Sequence, residues 1–241
     1  LTIDNLLAAE VVTADGRLLR VSEREHPDLF WALRGGGGNF GVVTAFEFRL
    51  HALGPSVLAG PMFWDATDAE EVIRFYRDFI RHAPDELGTV VRFGTAPPLA
   101  VIPENLHWRP VVMVGACYAG PTQDGEKALR PLRAFRTPLL DLVGPAPYVD
   151  FQSALDSTVV HGWNYYWKST HLPELGNDLI DVICEHAFAA ASPRSYVAMF
   201  HLKGAVGRTA DGATAFGNRK TSHAITLDGV WRAGEDFGER D

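Results

Sequence analysis

The chain has 241 residues, of which 46% are hydrophobic and 22% are charged, and its formal net charge at pH 7 is −8. This is the composition of an ordinary globular protein with enough length for a sizeable core in one or two domains. The scattered lysines and arginines argue against nucleic acid as a partner, because phosphate contacts need clustered positive charge. No apolar run approaches the ~20 residues of a membrane-spanning helix, so we expect no membrane partner either.

Other common chemistries also lack support. Cys117 and Cys184 lie far apart in the sequence, and we expect two buried thiols rather than a disulfide. The nine histidines form no compact ligand set such as H-E-x-x-H, so we expect no metal site. The absence of a G-x-S-x-G elbow and of a G-x-x-x-x-G-K-[ST] loop leaves hydrolase and phosphoryl-transfer functions without support.

The first fifty residues predict a β-hairpin, a short helix and a strand, at residues 7–13 with 17–22, 25–33 and 40–50. Asp15 and Gly16 stand at the tip of the hairpin, where such residues favour a tight turn. Pro27 and Asp28 suit the first turn of the helix. A Gly-Pro pair follows the strand, so we expect a domain boundary after residue 53 and domains at 1–53 and 54–241.

Beyond the boundary, predicted strands and helices alternate. The strands cover residues 57–64, 89–93, 111–118, 165–170, 196–202 and 223–231. The helices cover residues 67–82, 123–135, 151–155 and 175–190, with Pro131 marking a kink or an interruption. Strands of mixed aromatic and aliphatic character separated by helices predict an α+β fold, with an antiparallel sheet covered by helices on one face.

Four consecutive glycines occupy residues 35–38, although glycine costs backbone entropy and contributes no packing. Gly36, Gly38 and Gly41 match G-x-G-x-x-G, the pattern of a dinucleotide-binding loop that follows a strand and opens a helix. Here a predicted helix precedes the loop and a predicted strand follows it, so the loop is not of the Rossmann type. It is either a tight helix–strand connection or a loop whose backbone comes close to a ligand.

The segment DLFWALRGGGGNFGVVT at residues 28–44, preceded by DNLL at 4–7 and the hairpin, resembles the FAD-linked oxidases of the berberine bridge enzyme type, relatives of vanillyl-alcohol oxidase. Residues 165–169 and 213–219 resemble the second domain of the same family. The resemblance implies the C-terminal part of a PCMH-type FAD-binding domain at 1–53, followed by a cap domain of mainly antiparallel sheet backed by helices at 54–241. In that family the uncovered face of the sheet roofs the flavin and lines the substrate cavity.

The resemblance also implies candidate site residues. The cofactor-binding candidates contact FAD mostly through backbone groups, and they are Gly37, Gly38, Asn39, Phe40, Gly41, Val42 and Val43. Asp4 and Asn5 either contact the cofactor or form a local turn. The substrate-binding candidates come from the aromatic strand and are Tyr166, Trp167 and Lys168. Alternation places Trp167 on one face of that strand and Tyr166 with Lys168 on the other, and a lysine is less readily placed under packed helices.

The function implied is that of an FAD-dependent oxidase. Such an enzyme transfers a hydride from a small organic substrate, such as a sugar, an alkaloid or a polyketide-like compound, to the flavin, which dioxygen reoxidises. No residue of the chain can be named as the catalytic base. The alternative is a non-catalytic ligand-binding or interaction domain on the same scaffold.

The chain begins at Leu1 rather than at Met. The resemblance places the pyrophosphate loop and the His and Cys residues that attach flavin before this point, and a catalytic Tyr after the end. We therefore expect a fragment that is inactive and binds FAD weakly by itself, and we leave its localisation open.

Overall fold

The computed structural model describes residues 1–235, and the end of the predicted cap domain, residues 236–241, lies outside the described residues. The described residues form two compact units. The first unit holds Leu1–Ala52 and Leu202–Thr221, and the second holds Leu53–His201 and the described residues from Ser222 onward. This division differs from the predicted 1–53 and 54–241 because residues 202–221 lie in the first unit. Hydrogen bonds explain the difference, since the Trp31 indole donates to the Gly212 carbonyl at 2.7 Å.

The first unit contains the predicted hairpin, helix and strand. Its elements are a 3-10 helix Thr2–Asn5, β1 Leu6–Val12, β2 Leu18–Ser22, α1 Pro27–Leu33, β3 Val42–Phe48 and a short helix Ala205–Arg208. The strands form an antiparallel sheet in the order β2-β1-β3. Phe30 of α1 packs on Ala9, Val11 and Val21 to form the core of this unit. The two outer strands each leave one edge without a strand partner within this sheet.

The second unit is built on one eight-stranded sheet. Its strands are β4 Ser56–Asp65, β5 Leu87–Thr95, β6 Pro110–Tyr118, β7 Leu140–Asp141, β8 Gly144–Pro147, β9 Asn164–Leu172, β10 Tyr196–His201 and β11 His223–Trp231. The order is β7-β4-β6-β5-β10-β11-β9, β8 also pairs with β4, and every pair is antiparallel. The sequence did not predict β7 and β8, because such short strands show no alternation.

Helices cover one face of this sheet. They are α2 Ala69–Ile80, α3 Thr122–Ala134 and α5 Asn177–His186, while α4 is the short helix Tyr148–Ser153. Val72, Ile73 and Tyr76 of α2 are fully buried against the sheet, and each such side chain contributes about 1.5–3 kcal/mol. The predicted α+β class, with an antiparallel sheet backed by helices, is confirmed. Pro131 does not interrupt α3, which ends only three residues later.

The pairing register determines which side chains share a face of the sheet. Val91, Met199 and Ile225 are paired across three adjacent strands and belong to the core beneath the helices. Residues one position away in each strand point to the opposite face, which we call the far face. Over β5, β10, β11 and β9 the far face carries Arg92, Tyr196, Asp228 and Trp167, among others.

The sequence predicts no disulfide, no membrane-spanning helix and no metal site, and the structure bears on each of these three features. Cys117 and Cys184 are both free, and both are partly exposed rather than buried. Among residues 1–235, no helix has both the length and the apolar character that crossing a membrane requires. The described part of the chain also contains no group of three or more His, Cys, Asp or Glu side chains placed to hold a metal ion.

Candidate functional site

The glycine-rich loop connects α1 to β3, as the sequence predicted. Gly35 and Gly37 have φ of 122° and 85°, which side chains rarely tolerate. A Cβ at Gly35 would lie 2.5 Å from the backbone nitrogen of Phe216, and one at Gly36 would lie 2.5 Å from the Ala32 carbonyl oxygen. Backbone conformation and close contacts within the first unit therefore explain why glycine occupies positions 35, 36 and 37.

The structure of the first unit also requires a glycine at position 41. Its φ is 139°, and a Cβ there would collide with the carbonyl oxygen of Val12 on β1. The sequence interpretation assigned this glycine to a close approach by a ligand, whereas the structure shows a close approach by the neighbouring strand. The side chain of Val43, two residues on, packs against the core of the first unit.

Gly38 is different, because nothing within the described structure requires a glycine there. A Cβ at Gly38 would meet no atom within 4 Å, and its φ is not in the positive range. The backbone N–H groups of residues 37–40 donate to no protein acceptor within residues 1–235. Val42, at the start of β3, leaves 69% of its surface exposed. An accessible backbone with unused donors is what a planar ligand with hydrogen-bonding edges needs.

Asp4 and Asn5 are both engaged within the first unit. Arg219 donates to the two carboxylate oxygens of Asp4 at 2.8 and 2.6 Å. The Asn5 side chain donates to the Leu1 carbonyl at 3.1 Å, and its oxygen lies 2.7 Å from His51 Nε2. The two side chains therefore have structural roles, and their contact with a cofactor stays a prediction.

The far face of the large sheet carries a buried acid. Asp228 of β11 is only 7% exposed, and it accepts a short hydrogen bond from the Thr226 hydroxyl. Burial raises the pKa of Asp228 above its usual range, although the Thr226 hydrogen bond and the positive charge of Arg92 oppose the shift. A carboxylate with a raised pKa is a better proton acceptor at neutral pH than an exposed one.

Tyr196 lies beside this acid on the adjacent strand β10, and Arg92 lies on β5, one strand further away. Tyr196 is the cross-strand partner of Asp228, and the Arg92 guanidinium lies 4.3 Å from the centre of the Tyr196 ring. Burial, and then the charge of Asp228, raise the pKa of Tyr196, so its hydroxyl keeps its proton at neutral pH. The cluster thus contains a proton acceptor in Asp228 and a hydrogen-bond donor in Tyr196.

The aromatic strand contributes one of its three predicted substrate residues to this face. Trp167 is the cross-strand partner of Asp228, is 58% exposed, and contacts Tyr165 edge-to-face at 6.0 Å. Tyr166 and Lys168 lie on the helix-covered side of the sheet, where Lys168 Nζ is 5.6 Å from the Tyr166 ring. Lys168 is nevertheless exposed on this side, because β9 is the edge strand and its middle is exposed on both faces, and substrate binding by Tyr166, Trp167 and Lys168 stays a prediction.

The sequence interpretation missed Arg92, Tyr196 and Asp228. A signal was present, because Arg92 and Asp228 are charged residues inside strands that are otherwise mostly apolar or small. Charged side chains are rarely buried without a reason. Only the sheet order shows that the three residues come together, because they lie on three separate strands.

Several known proteins are similar to this chain in sequence. It is 26% identical over 240 residues to an FAD-linked oxidoreductase of Dictyostelium discoideum, covering 98% of this chain and 50% of the relative. It is 43% identical over 74 residues to a xylooligosaccharide oxidase of Thermothelomyces thermophilus, covering 31% of this chain and 15% of that protein. No protein-family model matches.

The fold has known counterparts as well. The structure of a glucooligosaccharide oxidase of Acremonium strictum superposes with a TM-score of 0.79 at 23% identity, covering 96% of this chain and 49% of that one. The two proteins therefore share a fold. The chain is a relative of the FAD-linked oxidoreductases, and the resemblance predicted from its glycine-rich motif is confirmed. It spans about half the length of the Dictyostelium relative.

Proposed function

We propose that the chain forms part of an FAD-dependent oxidase that removes a hydride from a small organic substrate and is reoxidised by dioxygen. The observation that carries this proposal is the match over 98% of the chain to an FAD-linked oxidoreductase. The glycine-rich loop and the far-face acid support it independently, because each offers groups that the fold of its own unit does not use.

The loop residues fit the adenine end of the cofactor. The free N–H groups of residues 37–40 would hold the adenine edge by hydrogen bonds, and Gly38 would let the backbone come close. Val42 and Val43 would continue this contact through their backbone, since the side chain of Val43 packs inward. FAD, when bound, supplies the hydride acceptor, and the protein groups orient substrate and exchange protons.

The far-face cluster suits the substrate side of the reaction. Asp228 accepts the proton of the substrate O–H or N–H, because its raised pKa favours proton transfer near neutral pH. Tyr196 donates a hydrogen bond that orients the same substrate group. Trp167 and Tyr165 offer ring faces on which a flat ring or a sugar stacks. The Arg92 guanidinium lies over the Tyr196 ring and helps to hold the ring in place.

The test is made on the protein as purified from cells that express its whole gene. We expect flavin absorbance bands in the wild type and in Asp228→Asn. Under anaerobic conditions, an oligosaccharide panel should bleach the flavin of the wild type but not that of Asp228→Asn. Flavin-free protein from both would favour the alternative of a non-catalytic binding domain. Equal bleaching of the two would remove Asp228 from the reaction.

A further inference from the structure

A ladder of alternating aromatic and cationic side chains lies beyond the proposed site. The Arg194 guanidinium is 5.4 Å from the centre of the Trp108 ring and 5.1 Å from that of Trp163. The Arg232 guanidinium is also 5.1 Å from the Trp163 ring. We call these four residues, Trp108, Arg194, Trp163 and Arg232, the Trp–Arg ladder. Cationic groups are held over ring faces by the ring quadrupole, so the ladder is a preorganised array.

The ladder continues the far face toward one end of the sheet. Tyr165 and Trp167 occupy alternate positions along β9 and so point to the same side, and Trp163 lies directly before the first residue of β9, Asn164. Arg232 follows Asp228 by four residues and lies directly after the last residue of β11, Trp231. Strand rise places Arg232 about 13 Å from Asp228 along this direction. A substrate that reaches from the acid to the ladder is therefore longer than one sugar ring.

The residues that the structure describes do not fully neutralise the charge of the ladder. Glu235 accepts from Arg194 Nη1 at 3.1 and 3.2 Å, and its carboxylate also accepts from the Arg232 backbone nitrogen at 2.9 Å. The Arg232 guanidinium forms no ion pair with any residue in the described range 1–235. Within residues 1–235, one carboxylate thus faces two guanidinium groups, and this part of the chain leaves the ladder an excess positive charge that a ligand anion can meet.

The local backbone shows that the array is held in place. Trp108 has φ of 62°, a left-handed conformation that a tryptophan rarely adopts, and 41% of its surface is exposed. Strain of this kind persists where the surrounding structure holds the residue, and it clusters at binding sites. Tight packing of Arg194, whose side chain is 15% exposed, fixes the middle of the ladder.

We propose that the Trp–Arg ladder binds the carboxylate of an acidic oligosaccharide whose oxidised ring lies beside Asp228. The sugar rings stack on Tyr165 and Trp167, whose side chains share one side of β9, and the carboxylate pairs with Arg232. The proposal rests on the proposed function for the position of the reacting ring, but the binding itself needs no redox chemistry.

The experiment measures binding without turnover, by tryptophan fluorescence or calorimetry on the whole protein. The probes are xylotriose and xylotriose that carries one glucuronic acid. We expect the acidic probe to bind roughly tenfold more tightly, the size of one charge-assisted hydrogen bond. The preference should shrink at high salt, because Arg232 is exposed. Equal affinity for the two probes, or no binding of either, would overturn the proposal.

Two variants test which residues bind the sugar rings and which produce the preference for the acidic probe. Arg232→Gln should remove the preference for the acidic probe and leave the affinity for xylotriose unchanged, whereas Trp167→Leu should weaken the binding of both probes. Arg81→Gln, a change at an exposed arginine after α2, is the matched control and should alter neither affinity. An unchanged acidic preference in Arg232→Gln would refute the assignment. A flavin-free protein that still prefers the acidic probe would refute the proposed oxidase and leave this inference standing.

Discussion

Asp4 and Arg219, which are 215 residues apart in the chain, form a two-pronged ion pair inside the first unit. Both guanidinium Nη atoms donate to the carboxylate, and Nη2 also donates to the Thr214 hydroxyl at 2.7 Å. The Arg219 side chain is 1% exposed. A guanidinium this deeply buried depends on its partner, because an unpaired charge in the interior is costly. The pair therefore links residues 202–221 to the 3-10 helix that precedes β1.

Removing the carboxylate should destabilise the first unit more than removing the guanidinium. Asp4→Ala strands a buried charge and should cost about 3–5 kcal/mol of the free energy of unfolding. Arg219→Met leaves only a partly exposed carboxylate and should cost less. Urea unfolding followed by the indole N–H signal of Trp31, the only tryptophan of the first unit, measures both. An equal cost for the two variants would contradict this account.

The same pair predicts how stability depends on pH. Burial opposes ionisation of Asp4, but the hydrogen bonds and charges of Arg219 and of the Leu1 amino group together outweigh burial and hold the pKa of Asp4 below its usual value. A carboxyl whose pKa is lower in the folded chain contributes stability above its unfolded pKa and loses it as the pH falls through the folded value. We expect the first unit to weaken from about pH 5 downward. The acid profile of Asp4→Asn, followed by the Trp31 signal, should be flatter.

The glycine-rich loop offers a matched pair of substitutions. Gly38→Val places its Cβ in open space and should leave the fold intact while lowering the flavin bound per protein during expression. Gly41→Val collides with the Val12 carbonyl and should damage the sheet itself, with loss of flavin as a consequence. Flavin-to-protein absorbance ratio and circular dichroism separate the two effects. Full flavin content in a folded Gly38→Val variant would remove the cofactor role from this part of the loop.

Asp228→Asn should lower the activity of the protein and raise its stability. Burial raises the pKa of Asp228, and a carboxyl with a higher pKa in the folded state destabilises the fold as the pH rises between the unfolded and folded values. An asparagine removes this cost and still accepts from Thr226. We expect a gain in stability at pH 7 that shrinks at lower pH. Urea midpoints at several pH values measure it, and a loss of stability at pH 7 would contradict the assigned cause.

The sequence by itself determined the local elements and the family. Alternating apolar residues predicted the hairpin and most of the strands of the large sheet, and the apolar spacing of α2 predicted that helix, because local periodicity decides which face is buried. The order of helix, glycine loop and strand was enough to reject a Rossmann loop. It was also enough to find the resemblance that the relatives confirm.

Only the tertiary structure decided which residues meet. Residues 202–221 lie in the first unit because Arg219 finds its carboxylate at Asp4, a contact that no local pattern contains. Trp167, rather than Tyr166, shares the far face with Asp228, because cross-strand register and not composition fixes the side to which a residue points. Gly41 is needed for the approach of β1, whereas Gly38 is free of such a need, and only the packed backbone distinguishes the two glycines.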